Sequence, residues 1–411
     1  MAWLLDDDLL DGFASRTLFH ALYGGADFGE IRTTIDRVLG TAGDDAAARV
    51  DAWHREFTAT ADRVEAIGDG AAAAGHRVSA REAYLRATSY HRTAWQPVFG
   101  PTVDDRLASS SAREWGAMVK LAAQWDPPVE LLDVPYEGTS LTALLVRADD
   151  RAEPRPTLVC TNGYDSTVGE MFVAHAVAAT RRGYHCVLFD GPGQGRTLVE
   201  QGLHLRPDWE HVVSPVLDVV AAHPAVDADR LVLHGWSLGG FLAPRAAAFE
   251  PRLAALVADP GQWDQRDALL ANLPLDDAQK AAFPDIDPSA LEPMQAFLES
   301  PDAPPALRWR FLQRGPLVHG TTTLLDTLAA FAELTVSDVA HRISCPTLLT
   351  GAEGDPIAAR APRLLDAVGS EHKVLVPFTA AEGAGGHCEG TARSLLHQRM
   401  YDWLDEVLEL R

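Results

Sequence analysis

Four cysteines in 411 residues, with no paired spacing among Cys160, Cys186, Cys345 and Cys388, leave no room for a disulfide framework or a zinc or redox motif. Three of the four sit in or beside apolar segments, where a reduced thiol packs as a small hydrophobe. Basic residues are also scarce: 35 Lys and Arg face 58 Asp and Glu, a formal charge of −23. Such a field repels phosphate backbones and anionic headgroups, which excludes nucleic-acid and membrane-surface partners. No apolar run approaches the length of a membrane span, and the start "MAWLLDDDLLDGF" is acidic where a secretory signal needs a basic end. A cytoplasmic protein is expected. No fixed-period repeat is present, so a solenoid has no support. "GPGQG" at Gly191 to Gly195 lacks the lysine of a phosphate-binding loop and the glycine spacing of a dinucleotide fingerprint. It reads instead as a tight turn under the rim of a site, and no cofactor or metal is called for.

What remains is an ordinary globular composition, 47% hydrophobic and 23% charged, in a chain long enough for two or three domains. The first 125 residues read as helical. Val50, Trp53, Phe57, Val64 and Ile67 recur at three- and four-residue steps. After a break at Gly75, Ser79 and Glu82 form a capping-box pattern, and Pro97 marks a stop. Tyr84, Ala87, His91 and Trp95 share a face of the intervening helix, which packing accounts for, or which lines a pocket through Tyr84 and His91.

From about residue 128 strands and helices alternate. "VELLDVPYEG" and "SLTALLVRAD" form a strand pair, while "PTLVC", "YHCVLFD", "DRLVLHGW", "LAALVAD", "CPTLLTGAEGD" and "KVLVPF" are near-continuous apolar runs. Buried strands separated by helices predict a mostly parallel sheet covered on both faces. The alternation is interrupted after Pro260 by about 75 residues of helical character, a common way to build a lid.

The stretch "LVLHGWSLGG" places Ser237 at the carboxyl end of such a strand, with Gly235 and Gly239 on either side, in the manner of a nucleophile elbow. A serine hydroxyl needs a base, and of fifteen histidines His387 is best placed, in the glycine-rich loop before the last helix. His234, His91 and His204 are weaker candidates. Asp355, after the strand "TLLTGAEGD", supplies the carboxylate, with Asp259 as competitor at a solvated strand end and Glu353 and Glu382 behind it. The backbone N–H groups of Leu238 and Tyr164, with Gly163 allowing close approach, are the expected oxyanion donors.

Taken together, "AREAYLRATSYHRTA", "TNGYDST", "FDGPGQGRT", "GWSLGG", "GAEGDPI" and "GAGGHCEG" resemble the α/β-hydrolases grouped around 2,6-dihydroxypseudooxynicotine hydrolase and the FrsA-like esterases. The resemblance spans nearly the whole chain. It implies an α/β-hydrolase fold with a helical N-terminal cap domain (1–125), a core in two parts (126–263 and 341–411) and a helical lid (264–340). It implies a homodimer and carries the triad onto Ser237, Asp355 and His387. The expected enzyme is a serine hydrolase working through an acyl-enzyme. Its substrate is expected to be an aromatic or polyketide-like small molecule, cut at an ester or at a C–C bond next to a ketone. Simple carboxylester hydrolysis, or acyl transfer, elimination or cyclisation by the same triad, are the alternatives. Tyr84, His91 and Trp263 are substrate-binding candidates by position.

Overall fold

In the computed structural model, which describes residues 3–42 and 46–410, the N-terminal region is built from five helices. These are α1 (Asp8–Phe19), α2 (Phe28–Ala42), α3 (Ala46–Ala73), α4 (Arg77–Trp95) and α5 (Asp105–Gln124). Asp7 and Asp104 cap α1 and α5 by accepting from the N–H groups of Leu10 and Leu107. The capping box expected at Ser79 and Glu82 does not form. The turn at Gly75, closed by His76 N–H to the Ala71 carbonyl, lets α4 begin at Arg77, and Ser79 and Glu82 stay exposed in its opening turns. Helix α4 is buried almost all round from Ala83 to Trp95, between α3, α5 and the sheet domain. Trp53, Phe57 and Val64 of α3 join it in one core, whereas Ile67 falls off that face and is exposed.

The remainder forms an eight-stranded sheet. Its strands are β1 (Glu130–Tyr136), β2 (Thr139–Val146), β3 (Arg155–Thr161), β4 (His185–Phe189), β5 (Val226–Trp236), β6 (Leu253–Asp259), β7 (Thr347–Ala352) and β8 (Lys373–Phe378). They lie in the order β1-β2-β4-β3-β5-β6-β7-β8, antiparallel through β2 and parallel from β4 onward. The apolar runs are continuous because successive residues feed different cores. Leu231 and Leu233 of β5 pack with Trp209 and Phe241 on one face, and Val232 packs with Phe172 and Met400 on the other. In β6 the same alternation divides Leu256 and Ala258 from Ala255 and Val257. Between β6 and β7 run six helices from Gln265 to Ala332, with a small apolar cluster of their own around Leu273, Phe283, Leu298 and Leu328. Among the described residues no helix is long and apolar enough to cross a membrane.

Charge joins the N-terminal helices to the sheet domain. Glu170, fully buried, accepts from Arg16 Nε and Nη2 at 2.5 Å and pairs with Arg92 at 2.7 Å, while His20 lies 3.2 Å away. Arg16 also reaches Asp165 (2.7 Å) and Ser166 (3.1 Å), and Arg92 reaches the Asp165 carbonyl (2.9 Å). Burial opposes the charge on Glu170, but the two guanidiniums outweigh it and hold the carboxyl well below its ordinary value. Removing one partner of such a cluster strands the others in a dry interior. Glu170→Leu should therefore cost about 3–5 kcal/mol, read as a lower urea midpoint at pH 7. A depressed carboxyl stabilises above its unfolded pKa of about 4.3 and loses that contribution as pH falls toward the folded value. The variant should lack this part of the acid limb.

Candidate active site

Strand β5 ends at Trp236, and the chain turns at Ser237 into α6 (Gly239–Ala247). Ser237 has φ 56°, a left-handed conformation that a non-glycine residue holds only when its surroundings impose it. Here its N–H donates to the Asp259 carbonyl (2.7 Å), and its own carbonyl accepts from Gly240 N–H (2.8 Å) and the Gln262 side chain. At Gly235 a Cβ would run into the Gly239 carbonyl, which is why the first elbow glycine admits no substitute. A Cβ on Gly163 would lie 2.8 Å from that of Ser237, so the loop after β3 closes on the serine only because it is bare there.

The loops after β7 and β8 meet at the same point. Ser237 Oγ lies 2.8 Å from His387 Nε2, and His387 Nδ1 lies 2.8 Å from Asp355 Oδ2. The second Asp355 oxygen accepts from Ile357 N–H (2.9 Å), and the carboxylate is buried. The contact of Asp355 Oδ2 with His387 Nδ1 favours a proton on Nδ1, leaving Nε2 free to accept from the serine. His387 is 41% exposed, open to the cavity described below.

Asp259 is not the solvated strand end that the sequence suggests. It is fully buried; Oδ1 accepts from Thr350 (2.9 Å), and the carboxyl also meets that of Glu389. Glu389 is buried too, and burial together with Asp259 pushes its pKa up to about 11, so the pair retains a proton at neutral pH. Glu389 and the preceding Cys388 both have positive φ, 46° and 52°. The Cys388 thiol lies 3.6 Å from the Asp259 carbonyl and 3.4 Å from His387 Nε2. The loop holding His387 is thus anchored from below by residues that its sequence pattern does not single out.

Next to Ser237, the N–H groups of Leu238 and Tyr164 have no backbone or side-chain acceptor among the described residues, and both residues line the cavity. Two donors at this corner, with the positive end of α6 behind them, suit a developing oxyanion. The Tyr164 loop is braced from behind. Gln194 Nε2 donates to the Asn162 carbonyl (2.9 Å), and Asn162 donates to Asp190 (2.7 Å), whose pKa burial raises to about 6. "GPGQG" is therefore the support of this loop.

The cavity above these groups measures about 1340 Å³ and lies between α1, the helices after β6 and the sheet. Trp263 lines it, with Leu273, Phe311 and Phe331 among the apolar walls. Tyr84 and His91 do not reach it. Tyr84 donates to Asp69 (2.9 Å), and His91 Nε2 lies 2.9 Å from Glu65, on the side of α4 facing α3. The hydrogen bond from His91, with Lys120 adding to it, lowers Glu65 to about 2. Their aromatic and polar character serves this ion network, and helical spacing cannot distinguish the face toward α3 from a face toward substrate. His234 packs against His175 with ring centroids 4.3 Å apart and is pushed by burial down to about 3, while His204 bonds the Leu317 carbonyl (3.0 Å). Glu353 accepts from Ala380 N–H (2.8 Å), and Glu382 caps its own turn at Thr379. In place of Tyr84 and His91, the N-terminal helices present Arg16 to the cavity, and the last helix presents Arg393.

Comparison with known proteins agrees with this architecture. The sequence profile of the alpha/beta hydrolase family matches residues 158–394. Hydrolase LUC6 of Fusarium sp. is 33% identical, and 20-hydroxy-prefusarin hydrolase FUS2 of Gibberella moniliformis is 31% identical, each aligned over 96% of both chains. Among solved structures, 2,6-dihydroxy-pseudo-oxynicotine hydrolase superposes with a TM-score of 0.72 at 24% identity over 95% of both chains, a likeness of fold. With the family profile covering more than half of its length and such relatives aligned over nearly all of it, the chain belongs to the alpha/beta hydrolase family and is a hydrolase.

Proposed function

We propose that the enzyme is a serine hydrolase in which Ser237 is the nucleophile, His387 the general base and acid, and Asp355 the residue that orients and stabilises the imidazole. The unbroken hydrogen-bond chain from Ser237 through His387 to Asp355 carries this reading. Ser237 Oγ attacks a carbonyl carbon as His387 takes its proton. The Leu238 and Tyr164 N–H groups receive the oxyanion, and the leaving fragment departs with the proton from His387. Water then cleaves the acyl-enzyme by the reverse proton path.

The substrate in this reading is an aromatic or polyketide-like small molecule, cut at an ester or at a C–C bond beside a ketone. A large cavity whose lining is mostly apolar, with Trp263, Leu273, Phe311 and Phe331 among its walls, supports that class. The name of the 31% identical relative, a 20-hydroxy-prefusarin hydrolase, points to a small organic substrate as well.

Ser237→Ala should lower kcat by about 10⁶ with the fold intact, measured on an aryl ester alongside circular dichroism. Asp355→Asn should cost about 10⁴, because the amide favours the wrong imidazole tautomer. A comparable loss confined to kcat in Asp259→Asn, with Asp355→Asn active, would move the acid to Asp259. The Asp259–Glu389 pair adds a pH signature. A carboxyl raised in the folded state stabilises fully below its unfolded pKa of about 4.3, and that contribution declines as pH rises toward the folded value of about 11. Glu389→Gln donates to Asp259 without having to hold a titratable proton. It should flatten the decline of urea stability between pH 5 and pH 9.

A further inference from the structure

Arg393 opens the last helix, α7 (Arg393–Val407), six residues after His387, and lines the active-site cavity with Cys388, Gly390 and Trp236. It is 3% exposed, yet among the described residues its guanidinium has no hydrogen-bond or ion-pair partner. Nε and Nη1 are closed off without an acceptor, which leaves Nη2 as the nitrogen that solvent in the cavity can still touch. Its carbon centre lies 5.0 Å from the Trp236 ring centroid, and that of Arg16 lies 5.2 Å from the same ring. The two differ in one respect. Arg16 is saturated by Glu170, Asp165 and Ser166. Arg393 feels Glu170 only at longer range, and that carboxylate is already clasped by Arg16, Arg92 and His20.

Buried guanidiniums without partners are rare, because desolvation is costly unless an anion answers it. Cation–π contact with Trp236 offsets part of that cost and leaves Nη2 without an acceptor. A cationic N–H donor at the wall of a dry cavity matches one oxygen of a carboxylate or the oxygen of an enolate. The protein's net charge of −23 opposes an incoming anion, but in physiological salt that field is screened within about 8 Å, whereas a guanidinium at contact in a dry cavity is not.

We propose that Arg393, stacked on Trp236, is a subsite for a negatively charged oxygen of the substrate, that of a carboxylate or an enolate. A role in cleavage rests on the hydrolytic reading above; the binding of the anion does not. In C–C cleavage the subsite has a chemical role. When Ser237 Oγ adds to the ketone carbon and the bond to the neighbouring carbon breaks, its electron pair passes to that carbon and its adjoining carbonyl as an enolate. Arg393 holds the enolate oxygen until the proton that His387 took from Ser237 returns to carbon.

The test uses the full-length Ser237→Ala protein and isothermal titration with two matched pairs. One pair is benzoate against benzamide, and the other is ionised 5,5-dimethylcyclohexane-1,3-dione against 3,3-dimethylcyclohexanone. In at least one pair the anion should bind about tenfold tighter than its neutral partner, as one charge-assisted contact supplies. The preference should vanish in Ser237→Ala/Arg393→Met. Preference confined to benzoate assigns a carboxylate, and preference confined to the dione assigns an enolate. Equal binding within both pairs, or a preference that survives Arg393→Met, overturns the proposal. Should the methionine variant fail to fold, Arg393→Gln keeps a polar N–H donor and loses the charge, and an undiminished preference there overturns it equally. Because the parent lacks the nucleophile, the result stands apart from turnover: anion binding together with a fully active Ser237→Ala would reject the hydrolytic reading alone.

Discussion

The hydrogen bond from Ser237 N–H to the Asp259 carbonyl is the constraint on which the rest of the site depends. It ties a residue in a strained backbone conformation to the end of the neighbouring strand, and strain of this kind persists only where the surroundings over-determine it. The same Asp259 carbonyl lies near the Cys388 thiol, and the Asp259 carboxyl meets Thr350 of β7 and Glu389 of the histidine loop. The ends of β5, β6 and β7 and the loop after β8 are therefore drawn to a single buried residue. The catalytic geometry proposed for Ser237, His387 and Asp355 follows from this convergence more than from any of the three side chains.

Buried charge recurs in this molecule with a common logic. Glu170 answers Arg16 and Arg92 where the N-terminal helices meet the sheet domain, and the Asp259–Glu389 pair answers itself by retaining a proton. In each case directional bonds hold surfaces that apolar packing alone would leave free to slide. Arg393 departs from that logic, since among the described residues no carboxylate meets it, and it lies in the cavity wall.

Much of the fold was legible from local pattern. The strand pair at residues 130–146, the apolar runs of β3 to β8 and the helical break after Pro260 all appear where composition and periodicity place them. The glycines around Ser237, the loop of Gly163 and the glycine-rich segment holding His387 were legible for the same reason, since close approach and turning demand particular residues at particular spacings. Ser79 misled because a capping pattern signals a helix start only where the chain has not already turned, and the turn at Gly75 precedes it. Asp259 misled because a strand end is solvated by default, and here two neighbouring loops cover it.

By itself the sequence determined the parallel sheet, the elbow and the set of loops that meet at its carboxyl edge, because each depends on interactions among residues a few positions apart. Tertiary structure alone decided which faces of the helices look inward. Tyr84 and His91 turn toward α3 and its carboxylates, while Arg16 from α1 and Arg393 from the last helix reach the cavity. It also decided that Asp259 and Glu389, 130 positions apart, share a proton beneath His387. Helical periodicity says that a face is buried but not against what, and a carboxyl gives no sign in sequence of the second carboxyl that will meet it.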